Sequence, residues 1–100
     1  MGRAKIEIPA DRVGAFCRRH HIRRLALFGS VLRDDFLPDS DVDVIVEFEP
    51  GHVPGLEFFA MQEELSGILG RTADLNTPGF LSSHFREQVL ADAETQYVAP

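Results

Sequence analysis

Residues 25–48 read LALFGSVLRDDFLPDSDVDVIVEF, and this stretch decides the architecture. Leu25, Ala26, Leu27 and Phe28 are apolar in succession, the pattern of a central strand buried on both faces. With Ile22 they predict a strand over residues 22–28, ended by Gly29-Ser30. Ser30 is expected to N-cap a short helix running to Arg33 or Asp34. Residues 36–40 hold Pro38 and read as a loop. Residues 42–48 then alternate strictly, with Val42, Val44, Val46 and Phe48 on one face. Asp41, Asp43, Ile45 and Glu47 fall on the other.

The flanking sequence supplies helices. Val13, Phe16 and Cys17 recur at helical spacing, which predicts a helix from Ala10 to about His20. Residues 49–55 carry two prolines and two glycines and form a loop. Leu56, Phe59, Ala60, Glu63, Leu65, Ile68 and Leu69 follow a roughly helical pattern that Gly70 is placed to end. Residues 71–76 read as a short third strand, and Thr77-Pro78-Gly79 breaks it. A last helix is expected over residues 80–93, with Leu81, Phe85, Val89 and Leu90 on one face. Tyr97-Val98 either adds a short edge strand or docks on the surface. The expected fold class is α/β (α+β): a small mixed β-sheet flanked by helices, with residues 1–100 forming one domain.

Bulk composition narrows the function classes. The chain has 100 residues and a net charge of -6, with no repeats or low-complexity tract. An acidic balance argues against general nucleic-acid affinity, which needs Lys and Arg to neutralise phosphates. Direct nucleic-acid binding is therefore not expected. Apolar runs such as residues 25–28 fall far short of the ~20 residues that span a bilayer. Residues 1–9 mix charges and lack an apolar signal core, so the cytoplasm is the expected compartment. A single cysteine, Cys17, excludes an intrachain disulfide and reads as a core residue. His20, His21, His52 and His84 show no metal-ligand spacing and are expected at the surface or its boundary. The basic run from Arg18 to Arg24 suits a helix C-terminus, or alternatively a landing surface for an acidic partner or a phosphate tail.

The chemistry concentrates where the two strands meet. Side chains two apart on a strand share a face, so Asp41 and Asp43 project together while Val42 and Val44 enter the core. Adjacent carboxylates repel unless a cation lies between them. Hard oxygen donors of this kind suit Mg²⁺ or Mn²⁺. Asp74, on the third strand, is the candidate third carboxylate of a two-metal site if that strand lies beside residues 42–48. Gly29 lets backbone approach a phosphate, and a helix start at Ser30 offers unpaired N–H groups. Arg33 either reaches phosphate oxygens or pairs with Asp34, Asp35 or Asp39, which otherwise read as solvated loop charges.

Gly29-Ser30, ten intervening residues and Asp41-x-Asp43 resemble the GSx10DxD signature of the DNA polymerase β nucleotidyltransferase superfamily. The short chain is similar to the minimal nucleotidyltransferase (MNT) branch, whose members act as antitoxins of HEPN-domain ribonuclease toxins. The resemblance runs over nearly the whole chain. It implies that Gly29 and Ser30 bind the β- and γ-phosphates of ATP, and that Asp41 and Asp43 hold two Mg²⁺ ions. Asp74 would ligate the second ion and help deprotonate the attacking hydroxyl. Arg33 matches the arginine of the family's GS-x-A-R-G opening, although Leu32 replaces alanine and Asp34 replaces glycine. The implied activity moves AMP from ATP to a tyrosine of a partner HEPN toxin, in a hetero-oligomer. Transfer to a small-molecule hydroxyl, or neutralisation of a toxin by binding alone, are the alternatives.

Overall fold

In the computed structural model, which describes residues 4–100, the quoted stretch forms two antiparallel strands joined by a long loop. Helix α1 (Ala10–Arg19) precedes β1 (Ile22–Phe28), and β2 (Val42–Phe48) follows a short 3-10 turn over Gly29–Leu32. Then come α2 (Glu57–Leu69), β3 (Ala73–Asn76), a 3-10 turn over Pro78–Phe80, α3 (Ser83–Asp92) and β4 (Glu94–Val98). The sheet order is β3-β2-β1-β4. Strand β1 runs antiparallel to both neighbours, whereas β2 and β3 are parallel and are connected through α2. A parallel pair needs such a crossover, because a tight turn cannot return the chain to the same end of the sheet.

Alternation along the strands sorts side chains onto two covered faces. Val42, Val44 and Val46 meet Leu25 and Leu27, and α1 and α2 close over them with Val13, Phe16, Met61 and Leu65. The opposite face carries Ala26, Phe28 and Ile45 beneath Val89 of α3. This explains why β1 is apolar on both faces and why Ile45 stands among acids. Helix α3 covers only that part of the face, leaving Asp43 half-buried and Asp74 exposed. At roughly 25 cal/mol per Å² of apolar area removed from water, each of these large buried side chains contributes about 1.5–3 kcal/mol.

Several expectations change. The turn after β1 starts at Gly29, with Phe28 rather than Ser30 in the N-cap position and no side-chain cap. Gly29 has φ 77°, a left-handed conformation that tightens the turn before a helix can begin. The packed face of α2 differs in part from the expected one: Leu56 and Phe59 face solvent and Met61 is buried, whereas Leu65 is buried and Ile68 and Leu69 pack on the core as expected. From that helix the Gln62 and Ser66 side chains reach β3. The third strand begins at Ala73, not Arg71. The last helix begins at Ser83, where the Ser82 hydroxyl accepts the Phe85 N–H and sets the start. Phe85 on it is largely exposed. Tyr97 and Val98 belong to β4, an edge strand beside β1.

Four residues of the basic run make internal contacts. Arg19 and His20 both reach Glu64, tying α1 to α2. Arg23 and Arg24 pair with Glu47 across the strands, and Arg24 also donates to the Thr95 hydroxyl. Cys17 lies in the core, and burial pushes its thiol up to about 12. Among the described residues no helix is long and apolar enough to cross a membrane.

Candidate active site

The site lies at the end of the sheet where β1 finishes and β2 and β3 begin. Antiparallel pairing puts Phe28 opposite Asp43, so Gly29 arrives beside the start of β2. Parallel pairing puts Asp43 opposite Asp74, and in-register neighbours project to the same face. Asp41, two residues before Asp43, is exposed and joins that face. The Gly29 turn is pressed so close to Asp43 that a Cβ there would run into its carboxylate, 3.3 Å from Cγ. A glycine is therefore required twice over, by φ and by contact.

Electrostatics report the same convergence. The Asp43 carboxyl titrates above its ordinary value, first because burial desolvates it, then because Asp74 and Asp41 place like charges nearby. Arg33 opposes the shift, so its guanidinium lies within electrostatic reach of Asp43. Arg33 also pairs with Asp35 at 3.3 Å, and Asp34 pairs with Lys5 at 2.9 Å. Both aspartates are exposed, as expected, but each has a partner. The loop leading to Asp41 is held by the Leu37 N–H donating to the Ser40 hydroxyl at 3.0 Å. Lys5 N–H donates to the Val31 carbonyl at 2.9 Å, which anchors the chain start to the Gly29–Leu32 turn.

What sequence reasoning missed is the device that holds Asp74. Among the described residues the outer edge of β3 has no strand beside it. Instead, the Ala73 N–H donates to Ser66 Oγ at 2.9 Å and the Leu75 N–H to Gln62 Oε1 at 2.8 Å. Ser66 Oγ in turn donates to the Gln62 carbonyl at 2.8 Å. The two acceptors sit four residues apart on α2, one helical turn, and match alternate N–H groups of a strand. A polar pair at that spacing on an otherwise packed helix was the available signal.

The structure thus brings Gly29, Ser30, Arg33, Asp41, Asp43 and Asp74 to one end of the sheet. Among the described residues no group of three or more His, Cys, Asp or Glu side chains is arranged to hold a metal ion. The registered pair Asp43 and Asp74 fits Mg²⁺, which takes one or two carboxylates and leaves its remaining positions to waters and substrate phosphates.

A model of the nucleotidyltransferase domain matches residues 13–94. The chain belongs to the nucleotidyltransferase domain family. It is 36% identical over 75 residues to the protein adenylyltransferase MntA of Thermococcus cleftensis, covering 74% of either chain. A solved structure assigned as a minimal nucleotidyltransferase is 37% identical, with a TM-score of 0.70 over 84% of this chain and 85% of that one. The fold also matches a chain in the complex of tri-AMPylated Shewanella oneidensis HEPN toxin with MNT antitoxin. There the TM-score is 0.66 at 17% identity, over 90% of this chain and 70% of that chain.

Proposed function

We propose that this nucleotidyltransferase moves AMP from ATP to a tyrosine hydroxyl of a partner HEPN ribonuclease toxin, and so acts as its antitoxin in a hetero-oligomer. The observation that carries the reading is the registration of Asp43 against Asp74, with the Gly29 turn packed on Asp43. Like charges held side by side destabilise the free chain, and a site that binds cations and polyphosphate gives them a use. The adenylyltransferase relative and the AMPylated toxin complex support the nucleotide and the acceptor class.

In this reading Asp41, Asp43 and Asp74 would hold the Mg²⁺ ions. Bound there, the ions would neutralise charge on the triphosphate and lower the pKa of the acceptor hydroxyl. The chain's own residues do the placing. Backbone N–H groups of the Gly29-Ser30 turn receive the β- and γ-phosphates, since no Cβ blocks their approach at Gly29. Arg33 contributes positive charge beside them. Asp74 orients the attacking hydroxyl and accepts its proton as the oxygen bonds to the α-phosphorus and pyrophosphate departs.

The test is intact mass spectrometry of the partner toxin co-expressed with this chain. Additions of one nucleotide monophosphate each are expected on the toxin, lost with Asp41→Ala or Asp43→Ala. A toxin neutralised fully by both variants, with no added mass, would refute catalysis as the mechanism.

A further inference from the structure

Two cavities differ in character, one against the Gly29 turn and the other walled in part by Asp74. One, of about 310 Å³, lies between the Gly29 turn and α3 and includes Arg33. The other, of about 550 Å³, runs along the outer edge of β3, where Asp74 forms part of its wall with Phe48, Phe58 and Phe59. Phe58 meets both other rings edge-on, with centroids 6.5 and 6.4 Å apart. The geometry points to this second cavity as the seat of the acceptor, an aromatic phenol carried on the partner polypeptide. This inference rests on the nucleotidyl-transfer reading and adds to it the surface that selects the acceptor.

The argument is the order of the strands. In-line displacement at phosphorus requires the leaving group and the attacking oxygen on opposite sides of the reacting atom. Gly29 at the end of β1, Asp43 on β2 and Asp74 on β3 lie on successive strands, about 4.8 Å apart at each step. With the phosphate tail at Gly29, pyrophosphate leaves on the β1 side and the hydroxyl must enter over Asp74. The carrier of that hydroxyl then lies beyond β3, where the aromatic cavity is. Its size suits a small-molecule or side-chain guest. Edge-to-face ring packing favours an aromatic one.

Two further observations set the occupant. Leu56, Phe59 and Val53 at or beside the rim are 85%, 67% and 77% exposed, an apolar cluster that a partner polypeptide would cover. One end of each amide in the wall is bonded to backbone: Gln62 Oε1 accepts from Leu75, and Asn76 Nδ2 donates to the Asp74 carbonyl at 3.1 Å. The rings of Phe48, Phe58 and Phe59 supply the apolar part of that wall, against which an aromatic guest packs.

The test is an NMR titration of the full, isotope-labelled chain with Mg²⁺, using AMP-PNP as nucleotide probe and N-acetyltyrosine amide as acceptor probe. The phenol is expected to shift the amides of Val53, Phe59 and Thr77, and the nucleotide those of Gly29, Ser30 and Arg33. Phe59→Glu and Val53→Asp, both at exposed positions, should each weaken the phenol about tenfold and leave the nucleotide shifts in place. A nucleotide that instead shifts Val53, Phe59 and Thr77 assigns the cavity to the base and overturns the inference. A phenol that binds elsewhere, or not at all, overturns it too. Nucleotide failing to perturb the Gly29 end would refute the underlying nucleotidyl-transfer reading, whatever the phenol does.

Discussion

Replacing Gly29 by alanine separates the two demands the site makes on that residue. A left-handed conformation such as its φ of 77° costs an L-residue roughly 1–2 kcal/mol. The new methyl also runs into the Asp43 carboxylate, so Asp43 or the turn must move. Moving Asp43 disturbs a strand start bonded to both β1 and β3, which adds about 1 kcal/mol by the usual scale of a strained contact. The expected total is about 2–3 kcal/mol, a large fraction of the roughly 5–15 kcal/mol that holds a small domain. In a domain of this size that lowers Tm by roughly 8–24 °C. Gly51 provides the control. Its φ is 82° and nothing lies within 4 Å of its Cβ position, so Gly51→Ala should cost only the conformational part. Urea unfolding at unchanged m-value measures both variants, and AMP transfer assayed well below either Tm measures the site. Gly29→Ala should lose transfer and Gly51→Ala keep it. If the two variants unfold at the same midpoint and Gly29→Ala stays active, the contact with Asp43 has no role.

The remaining predictions concern the other supports of the site. Gln62→Ala leaves the Leu75 N–H without its acceptor and should cost about 1–3 kcal/mol, with faster amide exchange along β3 and reduced transfer; unchanged exchange at Leu75 would refute it. Asp43→Asn removes a carboxylate titrating above its ordinary 3.8, so without divalent ions the variant should be more stable than the parent at neutral pH. The sign follows from linkage. The folded state holds this proton more tightly than the unfolded chain, so the parent loses stability as pH rises from 3.8 through the raised folded value. The Tm difference should therefore vanish below pH 3.8, and a parent that is the more stable at neutral pH contradicts the reasoning. Cys17, with its thiol pushed up to about 12, should resist iodoacetamide at pH 8 in the folded chain and react once urea unfolds it. Alkylation at equal rates in both states would place it outside the core.

Comparison with the sequence reading divides along physical lines. Strand β1 and strand β2 fall where the apolar run and the strict alternation put them. Period-two patterning is local and survives any tertiary arrangement that buries one face. The start of α2 was misread because Phe59 and Leu56 look like core residues, yet both stay exposed, Phe59 on the border of a cavity. Hydrophobicity alone does not say whether a large apolar side chain faces the core or a binding surface. Ser30 failed as a cap because the chain turns one residue earlier, under the demand of the close approach to Asp43.

Within the site, the proximity of Asp41 to Asp43 is written into alternate positions at the start of β2, Asp41 just before it, and the Gly29-Ser30 turn into the end of β1. Their spacing needs no long-range information, since strand geometry alone puts alternate side chains on one side. Asp74 is different. Its place beside Asp43 depends on β3 choosing the free edge of β2, in parallel and in register, and on Ser66 and Gln62 from α2 holding its outer N–H groups. Register is a property of two strands together with the helix that crosses between them, so only the folded chain decides it.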